Sequence, residues 1–451
     1  MRGMVKNVMA LSSAADPTLT YLMGLALVLV FGILITILAN KLRISNILLL
    51  ILFGLALGAI PQDKYPLFSF DDAFLISLAV LTLVMIVFDG SSRFKLGEID
   101  EHSWRGLKIV LVFMGLNILI LTPATLFAYS KDGVGWFAAS LYALMFSVIM
   151  VGTDPGSVFI LLKNTTHRVI DVLKIEAIMN TPLMVLIPFL LMDILNQVTS
   201  EAREGSLFDI LTGYIPGFIS QIVVGLGVGL LTGLIIIKLM RKFYSETLSP
   251  VALMGAALLT YALAEWLGGN GVLAVAFLGV AFGNTYVREK TSLQEFSSHL
   301  SLSLEILVYV LIGIAIFPTL PWTNTLFWMR AALLFLVLFV SRLATILLLF
   351  RKEDTFGPKE KLFMALNMPK GIAVAVVVFK FLSSNQPDYF IELLNLTVVF
   401  MMISLLIASV TDRFGNYFLI PNPADSTNTA TTKSTSPQTP LAGQQPHNDE
   451  S

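Results

Sequence analysis

Residues 137–162 read FAASLYALMFSVIMVGTDPGSVFILL, and this stretch decides the fold class. It is apolar and small except at Asp154. A carboxylate inside a membrane span is costly, so it faces a cavity or an ion path rather than lipid. Pro155 follows at once, with Gly152 and Gly156 on either side. Proline removes a backbone donor and clashes with the preceding turn, which predicts a helix break there. Broken backbone at membrane depth is tolerated only where it is buried in protein or lines a wet cavity. An acid at such a break is the pattern of a transporter ion site.

Composition agrees. The chain has 451 residues, 56% of them hydrophobic and 13% charged, against about 25% charged in soluble domains. Mean hydropathy is +0.82. These values describe an all-α polytopic membrane protein and exclude the soluble enzyme classes. Net charge is −1, so there is no basic footprint and no nucleic-acid partner is expected. There is no cysteine, which excludes disulfides, thiolate catalysis and Cys-based zinc sites. His102, His167, His299 and His447 show no metal-ligand spacing. No nucleophile–base pair is visible, so neither enzymatic activity nor a cofactor is expected.

A spanning helix needs about 20 mostly apolar residues. Thirteen candidates begin near Tyr21, Asn46, Asp72, Leu107, Trp136, Ile170, Gly217, Pro250, Gly271, Leu300, Phe327, Leu362 and Ile391. The run from Tyr21 is long enough to be a retained span rather than a signal peptide. Lys and Arg gather in alternate loops: Lys41 and Arg43, Arg93 to Lys108, Lys163 to Arg168, Lys238 to Lys242, Arg288 and Lys290, Arg351 to Lys361. The positive-inside rule makes those loops cytoplasmic, with the N-terminus outside and the C-terminus inside. Residues 1–20 are then a short extracytoplasmic segment and 21–415 the transmembrane domain. Residues 422–451, rich in Pro, Ser and Thr, are a disordered cytoplasmic tail.

The twelfth span is interrupted as well, at Asn367-Met368-Pro369-Lys370-Gly371. Proline and glycine again flank a charge, now positive. One broken span in each half suggests inverted repeats with two crossed half-helices. Such half-helices bring partial charges to mid-membrane. Asp154 near amide ends and Lys370 near carbonyl ends would offset them. The plainer reading is two proline kinks with incidental charges. In the sixth span Glu176 and Asn180 share a helix face; they either join the ion site or, with Thr181, bond helix to helix. Arg342 is too deep in the eleventh span to snorkel and calls for a buried carboxylate. Glu265, Glu305, Lys380 and Glu392 fall near span ends and read as headgroup-facing. Asp89 reads as a cap or gate.

Taken in order, these motifs resemble the monovalent cation:proton antiporters of the NhaP/NHE type. The resemblance covers about residues 20–415. Thr153-Asp154-Pro155 is similar to the family's TDP break, and EAIMNT (176–181) to its E-S-x-x-N-D stretch. TYALAEWLGGNGVLAVAFLGVAFGN (260–284) resembles its A-E-x-x-G-G-S-G signature, and Met368 to Gly371 its PRG break, with lysine for arginine. LFGLALG, LVMIVFDGSSRF and Arg342 are family-like too. The resemblance implies about 13 transmembrane helices in a core domain and a dimerisation domain. It implies a homodimer that exchanges Na+, Li+ or K+ for H+ by alternating access. The plasma (inner) membrane is the default location, with a thylakoid or other internal membrane as the alternative.

One departure matters. Where the family has Asn-Asp, this chain has Asn180-Thr181, and Ala177 replaces a serine. Threonine can ligate a cation but cannot carry a proton at physiological pH. The remaining candidates for ion and proton binding are Asp154, Thr153, Glu176, Asn180 and Thr181. Of these, Asp154, Thr153, Asn180 and Thr181 are the expected ligands of a monovalent cation. Arg342 and Lys370 are the charge-compensating residues; Pro155, Gly156, Pro369 and Gly371 make the breaks. Competition of cation and proton for one carboxylate is enough to couple them. Two further readings stand beside exchange: a member that has lost proton coupling, acting as a leak, uniporter or ion or pH sensor, and a carrier of an organic anion on Arg342 and Lys370.

Overall fold

The computed structural model describes residues 17–42, 44–60, 72–93, 101–129, 135–154, 167–200, 207–246, 248–286, 289–351, 356–382 and 386–419. The short N-terminal segment up to residue 16, the tail 422–451, and Pro155 and Gly156 lie outside them. Helices only are present among the described residues: α1 (Pro17–Leu42), α2 (Asn46–Gly58), α3 (Asp72–Ser92), α4 (Glu101–Leu116), α5 (Thr122–Ala128), α6 (Trp136–Ile149), α7 (Arg168–Ser200), α8 (Leu207–Lys242), α9 (Leu248–Trp266), α10 (Gly271–Gly283), α11 (Lys290–Ile316), α12 (Thr325–Leu349), α13 (Pro358–Leu366), α14 (Ile372–Leu382), α15 (Asp388–Arg413) and the single turn α16 (Gly415–Phe418). Nine helices among the described residues are long and apolar enough to cross a membrane. The shorter apolar helices α2, α6, α10 and α14 fall at other predicted positions.

Local chemistry sets the boundaries. Ser45, Asn270 and Asn324 cap α2, α10 and α12 by accepting amide hydrogens of the first turn. The turn between α9 and α10 passes through Gly268 at φ 73°, a conformation that glycine adopts without strain. Between α4 and α5 the chain makes a π turn over Asn117–Leu121. Pro123, which follows, has no N–H to continue the ladder, and the register shifts there.

Two groups of helices pack within themselves. One joins α1, α2 and α11, and α3 with α8, α9 and α10; the other joins α4 to α7 with α12, α13 and α15. α14 reaches both, touching α3, α7, α11 and α15. α2 lies tight on α11. A Cβ on Gly54 would stand 2.2 Å from the Val310 carbonyl oxygen, and one on Gly313 2.5 Å from that of Ile51. Two glycines therefore let the backbones touch, as small residues do in membrane helix pairs.

Candidate functional site

The two interruptions meet. α6 stops at Ile149, and residues 152–154 are extended or irregular. The helix thus ends well before Pro155, not at it, because the Met150 carbonyl finds a side-chain partner instead of a next turn. α13 stops at Leu366 and α14 starts at Ile372. Pro369 disfavours helix in the residue before it. The Asp154 amide donates to the Pro369 carbonyl at 2.8 Å. The Lys370 ammonium donates to the Met150 carbonyl at 2.5 Å, and its amide to Ser404 Oγ at 3.1 Å. Lys370 is 0% exposed and caps the negative end of α6. Asp154 lies at the other polarity, against Gly371, just ahead of the first amides of α14. A Cβ on Gly371 would fall 2.2 Å from the Asp154 carboxyl, so the close approach requires glycine.

Around Asp154 the sixth predicted span contributes selectively. Asn180 Nδ2 donates to Thr153 Oγ1 at 2.6 Å and to the Val151 carbonyl at 3.3 Å. It holds the unwound strand by the residue beside the acid. Asn180 Oδ1 is buried and has no partner among the described residues. Thr181 Oγ1 donates to its own helix, at the Ala177 carbonyl, which leaves its lone pairs open. Thr153, Asp154, Thr181 and Gly371 line a small cavity with Ile86, Val87, Gly90 and Ser91 of α3 and Met184 of α7. Asp154, Thr153, Thr181 and Ser91 put oxygens on an otherwise apolar wall.

Glu176 goes elsewhere. Its two oxygens accept from Arg342 Nη1 and Nη2 at 2.6 and 2.7 Å, with side chains 1% and 0% exposed. Arg342 also donates to the Met364 carbonyl at 3.3 Å, and its guanidinium lies 5.0 Å from the Phe113 ring centroid. The bidentate pair ties α7 to α12 and α13. Glu176 does not line the cavity. Arg342 therefore compensates Glu176, and Lys370 is the cation that stands at the breaks.

One span-end reading changes, and two others gain partners. α11 begins at Lys290 rather than near Leu300, which places Glu305 in mid-helix. Lys380 lies over the Phe189 ring at 4.2 Å and lines a second, larger and polar cavity with Asp193, Gln221, Tyr261 and Glu265. Glu265 Oε1 accepts the Gly271 amide at 2.8 Å and so helps to cap α10. Asp89 pairs with Arg93 at 3.1 Å. The position of Glu305 was hidden by polar first turns, KTSLQEFSSH, which hydropathy reads as loop.

Comparison with known proteins follows the same outline. The profile of the sodium/hydrogen exchanger transmembrane family matches residues 25–413. The chain is 26% identical over 422 residues to a K(+)/H(+) antiporter NhaP2 of Shewanella sp. (strain MR-4), covering 89% of this chain and 68% of that one. It is 27% identical over 378 residues to Na(+)/H(+) antiporter 1 of Methanocaldococcus jannaschii, covering 79% and 81%. The solved sodium proton antiporter MjNhaP1 of that organism superimposes with a TM-score of 0.70 at 20% identity, over 88% of this chain and 98% of that chain.

Proposed function

The chain belongs to the sodium/hydrogen exchanger family, and from that premise we propose that it exchanges an alkali cation for protons at Asp154. The observation that carries this reading is the placement of one carboxylate, Asp154, where two helix breaks cross and a cavity reaches it. A carboxylate cannot hold a proton and ligate a cation at once. Occupancy by one excludes the other, and the two then travel in opposite directions when the site changes access. Thr153 and Thr181 supply further oxygens, as hard cations require. Asn180 fixes Thr153 in place. Lys370 holds the crossing together whichever ion is bound.

The relatives named above are a K(+)/H(+) antiporter in one case and a Na(+)/H(+) antiporter in the other, which supports K+ or Na+ as the cation. Gly90 and Ser91, at the Arg93 end of α3, line the cavity. By the positive-inside rule that end is cytoplasmic, so this conformation opens inward. The protein works as a homodimer in the plasma (inner) membrane, with its C-terminus in the cytoplasm.

The test is cation-driven proton flux in proteoliposomes with Na+, Li+ and K+, beside Asp154→Asn. Exchange in the native chain that vanishes in the variant is the expected result. Flux that survives the loss of Asp154, or folded protein that exchanges none of the three cations, overturns the reading.

A further inference from the structure

We propose that His167 and Glu360 form a pH-responsive latch at the cytoplasmic face, which positions the start of α7, the helix of Asn180, against α13. The proposal goes beyond the exchange reading and shares with it only a transport readout.

His167 is the last residue before α7. Its carbonyl accepts the Ile170 and Asp171 amides at 2.9 and 3.4 Å, and its Nδ1 accepts the Val169 amide at 3.3 Å. It is therefore the N-cap of α7, a position where a serine or aspartate oxygen usually accepts that bond. Its Nε2 donates to Glu360 Oε1 at 3.1 Å, with side chains 8% and 16% exposed. The other oxygen of Glu360 accepts the Gly357 amide at 2.6 Å and so caps α13. One imidazole and one carboxylate thus close two helix starts and join them. With Nδ1 accepting and Nε2 donating, the ring is neutral.

Histidine changes charge between about pH 5 and 8. An arriving proton can bind only at Nδ1, where the Val169 amide already points. Two donors then face each other and the cap of α7 is lost. The new charge also stands at the positive end of the α7 dipole, which disfavours it there. Glu360 pulls the other way, because its bond to an imidazolium is charge-assisted. Protonation therefore leaves the ring with Glu360 and releases the start of α7. Deeper in, α7 and α13 stay tied through Glu176, Arg342 and the Met364 carbonyl, a link whose arginine does not titrate. The latch opens while that brace holds. Asn180, one turn beyond Glu176, follows the helix as its first turns loosen, and Asn180 holds Thr153 of the ion site.

By the positive-inside rule this end is cytoplasmic. On α13, Lys359 lies over the Tyr417 ring at 4.0 Å and Lys361 donates to the Phe350 carbonyl at 2.7 Å. α7 itself adds Arg168, Asp171 and Lys174. α4 packs on α7 and begins with Glu101 and His102; its Arg105 lies 6.0 Å from the Phe356 ring centroid and its Lys108 5.7 Å from that of Trp104. α12 and α15 pack on α13 and bring Arg351, Asp412 and Arg413 to this end. α3 brings the Asp89–Arg93 pair, and α8 brings Lys238, Arg241 and Lys242. α6 and α10 carry no charge, and Lys380 of α14 is at its far end. Of these groups, His102 is the one whose type also titrates near neutral pH, so it serves as the control.

The experiment is amide hydrogen exchange, read by mass spectrometry over residues 167–176 of the full chain in detergent without added cation. It compares pH 6 with pH 8 after correction for intrinsic exchange, beside sodium-driven proton flux in proteoliposomes over the same range. The native chain is expected to lose protection about fivefold at the acid pH, the worth of one cap. His167→Asn caps without titrating, so its protection does not change with pH, and its flux falls less steeply on the acid side than the native flux. His167→Lys, charged and without an acceptor, behaves at pH 8 like the native chain at pH 6. Glu360→Gln moves the transition to lower pH, and His102→Asn leaves it in place. Equal pH effects in the native chain and His167→Asn, or none in the native chain, overturn the proposal. Coincident flux profiles of those two chains, with protection that does switch, overturn its link to exchange. Switching protection in a chain that carries no cation overturns the exchange reading and leaves the latch standing.

Discussion

Removing one partner of the Glu176–Arg342 pair should destabilise the protein far more than removing both. Each charge is buried, at 1% and 0% exposure, and the two bonds are 2.6 and 2.7 Å long. Arg342→Met leaves the Glu176 carboxylate without a counterion, and Glu176→Leu does the same to the guanidinium. Breaking a buried pair in this way costs about 3–5 kcal/mol. Arg342 keeps only the Met364 carbonyl and the Phe113 ring as partners in the second case, which places Glu176→Leu near the top of that range. The double variant has no orphaned charge and packs two apolar chains in the same space. It should lie within about 2 kcal/mol of the native chain, a coupling of several kcal/mol. The assay is thermal unfolding in detergent, read by gel-filtration recovery. Each single variant should lose roughly 5–10 °C, and the double should regain most of it. Because Glu176 does not line the cavity, the double variant should still be stabilised by cation. Additive losses, or loss of the cation effect in the double variant, would refute the assignment of Glu176 as a brace.

Gly371→Ala adds a Cβ that would fall 2.2 Å from the Asp154 carboxyl; cation affinity, read by thermal shift, should fall about tenfold or more, equivalent to ~1.4 kcal/mol. Asn180→Ala releases Thr153 Oγ1 from its 2.6 Å bond and should weaken cation binding by a factor of about 5, with stability lowered by ~1 kcal/mol. Gly54→Leu drives a side chain into the Val310 carbonyl at the α2–α11 contact; overpacking of about 3 kcal/mol or more should appear as lost folded protein in detergent, and retention of the native melting temperature would show that the helices do not touch there.

Much of the site was visible in the sequence because its residues break local rules. Asp154, Lys370 and Arg342 are charges in apolar runs, and Pro369 and Gly371 interrupt a helical pattern; hydropathy alone exposes such conflicts. Asn180 also announced itself, as an amide in a span. Glu305 did not, because a polar helix start made it look like a residue at the water interface. The start of the first break was misjudged for a related reason. Proline marks where a helix cannot continue, whereas α6 ends where Lys370 takes its last carbonyl.

The sequence by itself determined the membrane class, the two interrupted spans and the identity of the buried charges, since each follows from transfer cost and backbone chemistry within a few residues. Only the tertiary structure decided which charge faces which. Arg342 and Glu176 are 166 positions apart, and Lys370 and Met150 220 apart. Pairing at such separation depends on which helices cross and at what depth. A lone sequence records that a buried charge needs a partner, while the approach of α12 to α7 and of one break to the other selects it.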